Sequence, residues 1–280
     1  MIHKNAVLYR KEQKAIVYDT FYKLTNKKKP LVIFCHGYKG FKDWGAWNLL
    51  ADQFMSADLF FVKFNFSHNG GTVENPLDFP DLNAFAENNY TKELDDLEAL
   101  LSYFTQTDNP YFKELDVTNI TIIGHSRGGG ISIIKASENT KITKLITWAS
   151  VCDFSVRSST IGDLEQWKKD GVKYVLNGRT NQQMPHNIQF YTNFINNKKR
   201  LDIERAEKAL TIPHLIIHAE SDTSISFKEA EQLHKWNTNS RLITIPNSDH
   251  VFGAKHPWKL QVLPEALQTV ATESIAFIKK

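Results

Sequence analysis

The segment Gly124-His125-Ser126-Arg127-Gly128 constrains this chain more than any other. It follows Asn119-Ile120-Thr121-Ile122-Ile123, an apolar, β-branched run with the composition of a buried strand. It precedes Ile131-Ser132-Ile133-Ile134-Lys135-Ala136, which can continue as a helix. A strand that turns sharply into a helix at a serine needs very small residues two places before and two places after it. Gly124 and Gly128 occupy those places. Gly-x-Ser-x-Gly in this setting is the nucleophile-elbow pattern, in which strained backbone projects the serine hydroxyl from the sheet edge. The pattern predicts a nucleophilic serine, and its partners can be sought by role.

The rest of the chain alternates between strand-like and helix-like segments. Ala6 to Tyr9 and Ala15 to Tyr18 read as an N-terminal antiparallel hairpin. Leu31 to Cys35 is a continuous apolar run, as expected of a parallel strand covered on both faces. Helical pattern over Ala46 to Phe54 leads to a strand at Leu59 to Phe64, and Leu94, Leu97, Leu100, Leu101 and Phe104 make a helical stripe. Further strands are expected at Leu145 to Ala149, His214 to His218 and Leu242 to Ile245, with a closing helix from Ala266 to Ile278. Such alternation implies a mostly parallel α/β sheet with helices on both faces. Ligands in these sheets bind beyond the carboxyl ends of the strands.

Residues 150–212 interrupt the alternation, because roughly sixty residues without a strong buried strand exceed an ordinary loop. A polar helix is expected around Ile161 to Lys169, and Asn177-Gly178 suggests a tight hairpin turn. Helical patterns follow at His186 to Asn196 and Ile203 to Ala209. The expected organisation is a core of residues 1–149 and 213–280 with residues 150–212 inserted as a cap over the site.

A serine hydroxyl needs a base within hydrogen-bond reach and a carboxylate to orient that base. In folds built around this elbow the chain order is nucleophile, acid, histidine. Asp222 lies just past the His214 to His218 strand, and His250 just past the Leu242 to Ile245 strand. Glu220 and Asp153 compete with Asp222, and His256 competes with His250; position in the loops favours Asp222 and His250. His218 and His125 are expected to be packing or loop-shaping residues. A tetrahedral intermediate also needs backbone N–H donors. Arg127 supplies one, and the loop His36-Gly37-Tyr38-Lys39-Gly40 points to the N–H of Tyr38 as the second.

The chain has 280 residues and a formal net charge of +3, with short, scattered basic clusters. Those clusters argue against nucleic-acid binding. No apolar run reaches transmembrane length, and no signal peptide is visible at Met1 to Asn5, so a cytoplasmic protein with no membrane partner is expected. Cys35 and Cys152 are expected to be buried and reduced. No metal-binding or nucleotide-binding pattern is present, so no metal and no cofactor is expected.

These motifs resemble the α/β-hydrolase superfamily over nearly the whole chain apart from the insertion. The matching stations are His36-Gly37-Tyr38, Gly124 to Gly129, Ser221-Asp222 and Asp249-His250. The His-Gly-aromatic loop and Phe64-Asn65-Phe66-Ser67-His68-Asn69-Gly70 are similar to the dienelactone-hydrolase-like and cinnamoyl (feruloyl) esterase-like branch. The resemblance implies an α/β-hydrolase fold with an inserted cap. It makes Trp167, Tyr174, Phe190 and Tyr191 candidates for substrate contact.

The expected activity is a serine carboxylesterase, with Ser126, Asp222 and His250 catalytic and Tyr38 and Arg127 forming the oxyanion hole. Its partner would be a small-molecule ester, and the protein a monomer or homodimer. A prolyl-oligopeptidase-like serine peptidase or an acyltransferase would use the same triad, and a non-catalytic binding protein on this scaffold is a third class.

Overall fold

The computed structural model describes residues 1–159 and 162–280, with backbone alone for 158 and 159. The strands are β1 (Ile2–Arg10), β2 (Gln13–Phe21), β3 (Lys29–Cys35), β4 (Phe60–Phe64), β5 (Leu115–His125), β6 (Lys144–Trp148), β7 (Val172–Asn177), β8 (Gln182–Asn187), β9 (His214–Ala219) and β10 (Arg241–Ile245). The helices are α1 (Trp47–Ser56), α2 (Leu82–Ala86), α3 (Tyr90–Thr105), α4 (Arg127–Glu138), α5 (Phe154–Ser159), α6 (Leu164–Asp170), α7 (Gln189–Asn196), α8 (Ile203–Lys208), α9 (Phe227–Trp236) and α10 (Glu265–Ile278).

Eight strands form one sheet in the order β1-β2-β4-β3-β5-β6-β9-β10. From β4 to β10 every neighbouring pair is parallel, and the β1–β2 hairpin adds antiparallel along the β4 edge. The apolar runs follow from this burial. In β3, Leu31, Ile33 and Cys35 enter the core beneath α3 and α4, while Val32 and Phe34 enter the opposite core with α1 and α10. Successive side chains of a strand point to opposite faces, so a strand covered twice must be apolar throughout. Helix α3 begins where Asn89 caps it by accepting from the Lys92 N–H at 2.9 Å, and its Leu94, Leu97, Leu101 and Phe104 stripe packs on the sheet. Among the described residues no helix is long and apolar enough to cross a membrane.

The expected strands and long helices are present with small changes at their ends. Within 150–212 the differences are larger. The expected helix near Ile161 begins at Leu164, capped by Asp163, while Ile161 itself lies outside the described residues. The β7–β8 hairpin closes through four residues, 178–181, rather than a two-residue Asn-Gly turn. Asn177 spends its side chain on the Arg179 N–H, and the positive φ falls at Asn181. The helical pattern from His186 breaks because His186 and Asn187 pair with Lys173 and Val172, so α7 starts only at Gln189. Cys35 is buried and Cys152 half-buried, and both are free thiols.

A buried ion quartet fastens the edge hairpin to the sheet and to the loop after β3. Asp19 on β2 faces Lys63 on β4 in the antiparallel register, and their charged atoms lie 2.6 Å apart. Lys42, in the β3–α1 loop, lies 2.9 Å from Asp19, and Asp43 contacts both ammonium groups at 2.5 Å. The side chains of Asp19, Lys42 and Lys63 are fully buried. Burial disfavours the charged Asp43 carboxyl, but Lys63 and Lys42 outweigh it and hold the group well below the usual carboxylate range. Removing one member of a buried pair leaves an uncompensated charge. Asp19→Ala is therefore expected to lower the unfolding free energy by about 3–5 kcal/mol; a urea titration showing a loss below about 1 kcal/mol, the range of an exposed pair, would contradict this account.

Candidate active site

Strand β5 runs directly into α4 through Ser126, whose φ of 57° and ψ of −121° lie in a region few L-residues adopt. The turn fits because two backbones approach closely. A Cβ at Gly128 would lie 2.5 Å from the carbonyl oxygens of Cys35 and His36, at the end of β3. A Cβ at Gly37 would lie 2.8 Å from the Ser126 Cβ. The Gly37-Tyr38 loop thus passes against the serine. The Arg127 N–H, first in α4, has no carbonyl one turn back within its helix.

His250 and Asp222 meet beside this turn. His250 Nδ1 donates to Asp222 Oδ2 at 2.7 Å, which leaves the other ring nitrogen as an acceptor in the neutral imidazole. Asp222 Oδ1 accepts from the N–H groups of Ser224 and Ile225 at 2.8 and 2.9 Å. His218 Nε2 donates to the Ile225 carbonyl at 2.9 Å and lies 3.3 Å from Asp222 Oδ2. Burial opposes ionisation of Asp222, but hydrogen bonds from His218 and His250 prevail and hold it below the usual carboxylate range. His125, the last residue of β5, donates through Nε2 to the His250 carbonyl at 2.9 Å. The strand that carries the serine thereby also positions the histidine loop. Glu220 is exposed, Asp153 binds Ser155, and His256 accepts from the Gly45 N–H, so none of the three competitors touches this cluster.

Ser126 and His250 line one cavity of about 450 Å³, with Tyr38, Tyr90, Arg127 and Phe154 among its other walls. Among the described residues no hydrogen bond joins the Ser126 hydroxyl to His250. Such bonds are often long in ligand-free sites and shorten in the reacting complex. The Tyr38 hydroxyl donates to His186 Nε2 at 3.0 Å, and His186 Nδ1 donates to the Met184 carbonyl at 3.1 Å. His186, on β8, thus holds the loop that passes the serine. The Arg127 guanidinium lies 4.3 Å from the Tyr38 ring centroid and 3.4 Å from Glu93.

The four aromatics expected to contact substrate lie elsewhere. Trp167 is buried and donates to the His186 carbonyl at 2.8 Å. Phe190 is buried against Tyr90, with ring centroids 4.9 Å apart. Tyr191 packs near Trp167, and Tyr174 is 57% exposed on β7. None of the four lines the cavity. The aromatic walls come instead from Tyr38, Tyr90 and Phe154, the last two stacked at 3.9 Å. Tyr90 falls on the same helical stripe as Leu94 and Leu97, so spacing alone reads it as core.

An elbow serine, a carboxylate-held histidine and a backbone loop against the serine, all at the carboxyl ends of a parallel sheet, define an α/β-hydrolase of the serine-hydrolase type. The chain belongs to the prolyl oligopeptidase family, whose model matches residues 66–263. No curated protein sequence matches the chain significantly. Among solved structures, the chain is similar to Est1E from Butyrivibrio proteoclasticus at 18% identity, covering 98% of this chain and 97% of that one with a TM-score of 0.69. A structure of Est1E with ferulic acid bound matches at 19% identity, covering 94% and 95%, with a TM-score of 0.67. The α/β hydrolase domain-containing protein 10 from mouse matches at 17% identity over 98% of each chain, with a TM-score of 0.68. At these identities the likeness establishes the fold.

Three histidines of the site region are buried and held neutral. Burial lowers His36 to about 4, His125 to about 3, and His186 to about 4, the last with help from Arg127. In the unfolded chain each binds a proton below about pH 6.5. The unfolded state therefore binds more protons between about pH 6.5 and 4, and stability falls as pH falls through that window. Each residue contributes a slope of up to about 1.4 kcal/mol per pH unit. Urea midpoints measured from pH 7.5 to pH 5 are expected to decline, and His186→Gln to flatten the decline; a flat wild-type profile would refute the assignment of buried neutral histidines.

Proposed function

We propose that this protein is a serine carboxylesterase. The observation that carries the reading is the 2.7 Å bond from His250 Nδ1 to Asp222, with His250 opening on the same cavity as the strained Ser126. Asp222 holds His250 in the tautomer whose Nε2 takes the Ser126 proton as the hydroxyl attacks the ester carbonyl. The N–H groups of Tyr38 and Arg127 receive the oxyanion, and the close approach of Gly37 to Ser126 supports that placement. His250 then protonates the leaving alcohol. Water, deprotonated by His250, cleaves the acyl-enzyme and releases the acid. Residues 150–212 act as a cap through His186, which anchors Tyr38.

Aromatic walls at Tyr38, Tyr90 and Phe154 favour acyl groups with a flat ring, and hydroxycinnamates are one such class. Est1E, whose structure with ferulic acid has a similar fold, makes feruloyl esters a natural member of the test panel. The family match favours a second reading, cleavage of peptide bonds by the same triad. The described cavity wall holds no carboxylate to receive a protonated peptide amine, which supports the ester reading.

Ser126→Ala is expected to reduce hydrolysis of p-nitrophenyl butyrate to background, a loss on the order of a million-fold in related triads, with an unchanged circular dichroism spectrum. Wild-type protein is expected to cleave feruloyl and short-chain esters faster than aminoacyl amides of matched size. Ester turnover that survives in Ser126→Ala would sink the assignment, and preferential cleavage of the amides would favour the peptidase.

A further inference from the structure

The described wall of the Ser126 cavity carries three cationic side chains, Lys39, Arg127 and Arg157, and no carboxylate. Two of the three have acidic partners set behind the wall. Arg127 pairs with Glu93, and Arg157 with Glu229. Lys39 differs. No carboxylate among the described residues lies within ion-pair distance of its ammonium, whose charged atom sits 5.2 Å from the Tyr38 ring centroid. Its backbone takes a positive φ of 54° directly after Tyr38, which fixes the side chain's origin beside the expected oxyanion donor. Burial and the neighbouring Arg127 charge both disfavour the protonated form of Lys39. An anion entering the cavity would offset both effects.

We propose that the cavity selects an ester that also carries a free carboxylate, received by the Lys39 ammonium. The proposal rests on the ester-hydrolase reading of Ser126 and specifies its substrate class. Two kinds of molecule satisfy it: a half-ester of a dicarboxylic acid, with the charge on the acyl side, and an ester of a hydroxy acid, with the charge on the alcohol side. A monoanion fits better than a phosphate. One ammonium is a point charge of +1, and the planar, two-pronged guanidinium groups that suit phosphate already face Glu93 and Glu229. Attraction across a concave, weakly polar wall exceeds that at an open surface, so a single unpaired cation there can discriminate between substrates.

Binding to the Ser126→Ala protein separates recognition from turnover. Isothermal titration calorimetry at pH 7.5 and low salt would compare monoethyl adipate with diethyl adipate, and 4-acetoxybenzoate with its methyl ester. The expected result is that the carboxylate member of at least one pair binds about tenfold more tightly. That preference should vanish in Ser126→Ala/Lys39→Met, persist in Ser126→Ala/Lys39→Arg and weaken with added salt. Lys39→Met keeps the length of the chain, and circular dichroism checks its fold; Lys39→Glu should reverse the preference. Equal or weaker binding of the carboxylate member in both pairs, or a preference that survives Lys39→Met and Lys39→Glu, would overturn the proposal. Failure of wild-type protein to cleave any of these esters, with the Lys39-dependent preference intact, would instead count against the reaction assigned to Ser126.

Discussion

Two stretches of backbone come into near contact at Ser126, and the geometry of the site depends on that contact. The β5–α4 turn presses Gly128 against the carbonyls that end β3, while Gly37 passes over the serine's own Cβ. Neither side has room for a methyl group. The strained φ of Ser126 persists because the surrounding sheet, buried on both faces, fixes both ends of the turn. The serine, the N–H that starts α4 and the loop carrying Tyr38 are thereby placed together by main chain. Such placement is stiffer than any arrangement of side chains alone, as the proposed oxyanion site requires, since its donors must be in place before charge develops.

The histidine loop is tied to the same turn. His125 ends the strand that delivers Ser126, and its ring donates to the carbonyl of His250. Asp222 is fixed from the other side by two backbone N–H groups and by His218. The buried histidines at positions 36, 125 and 218 therefore serve geometry. Their imidazoles bridge loops that leave different strands, and their tautomers follow from partners that can only donate or only accept.

Much of this was readable from residue order. Strands covered on both faces leave unbroken apolar runs such as Leu31 to Cys35, and residues placed just after such runs, like Asp222 and His250, fall at the carboxyl edge. What escaped reading depends on contacts between distant positions. Tyr90 lies on a helical stripe indistinguishable from core, yet its position at the start of α3 brings it to the cavity. The partnership of Tyr38 with His186 spans 148 positions and leaves no local trace. Trp167 and Phe190 illustrate the converse: both are large aromatics buried in the main core rather than in the cavity wall. Lys63, read only as part of the Leu59 to Phe64 strand, turns out to need an acid there, because its ammonium is buried in a doubly covered strand, and Asp19 occupies the facing register.

That ion quartet changes what counts as the enzyme's foundation. The β1–β2 hairpin lies at the sheet's edge, away from Ser126, and looks like a detachable ornament. Yet Asp19 is one of the two acids that neutralise Lys42 and Lys63, and Lys42 belongs to the same loop as Gly37 and Tyr38. A chain relieved of residues 1–21 would keep every side chain near the serine while leaving two buried ammonium groups to share Asp43. The smallest competent unit of this fold thus begins ahead of the hairpin, and trimming at the periphery would be felt at the centre.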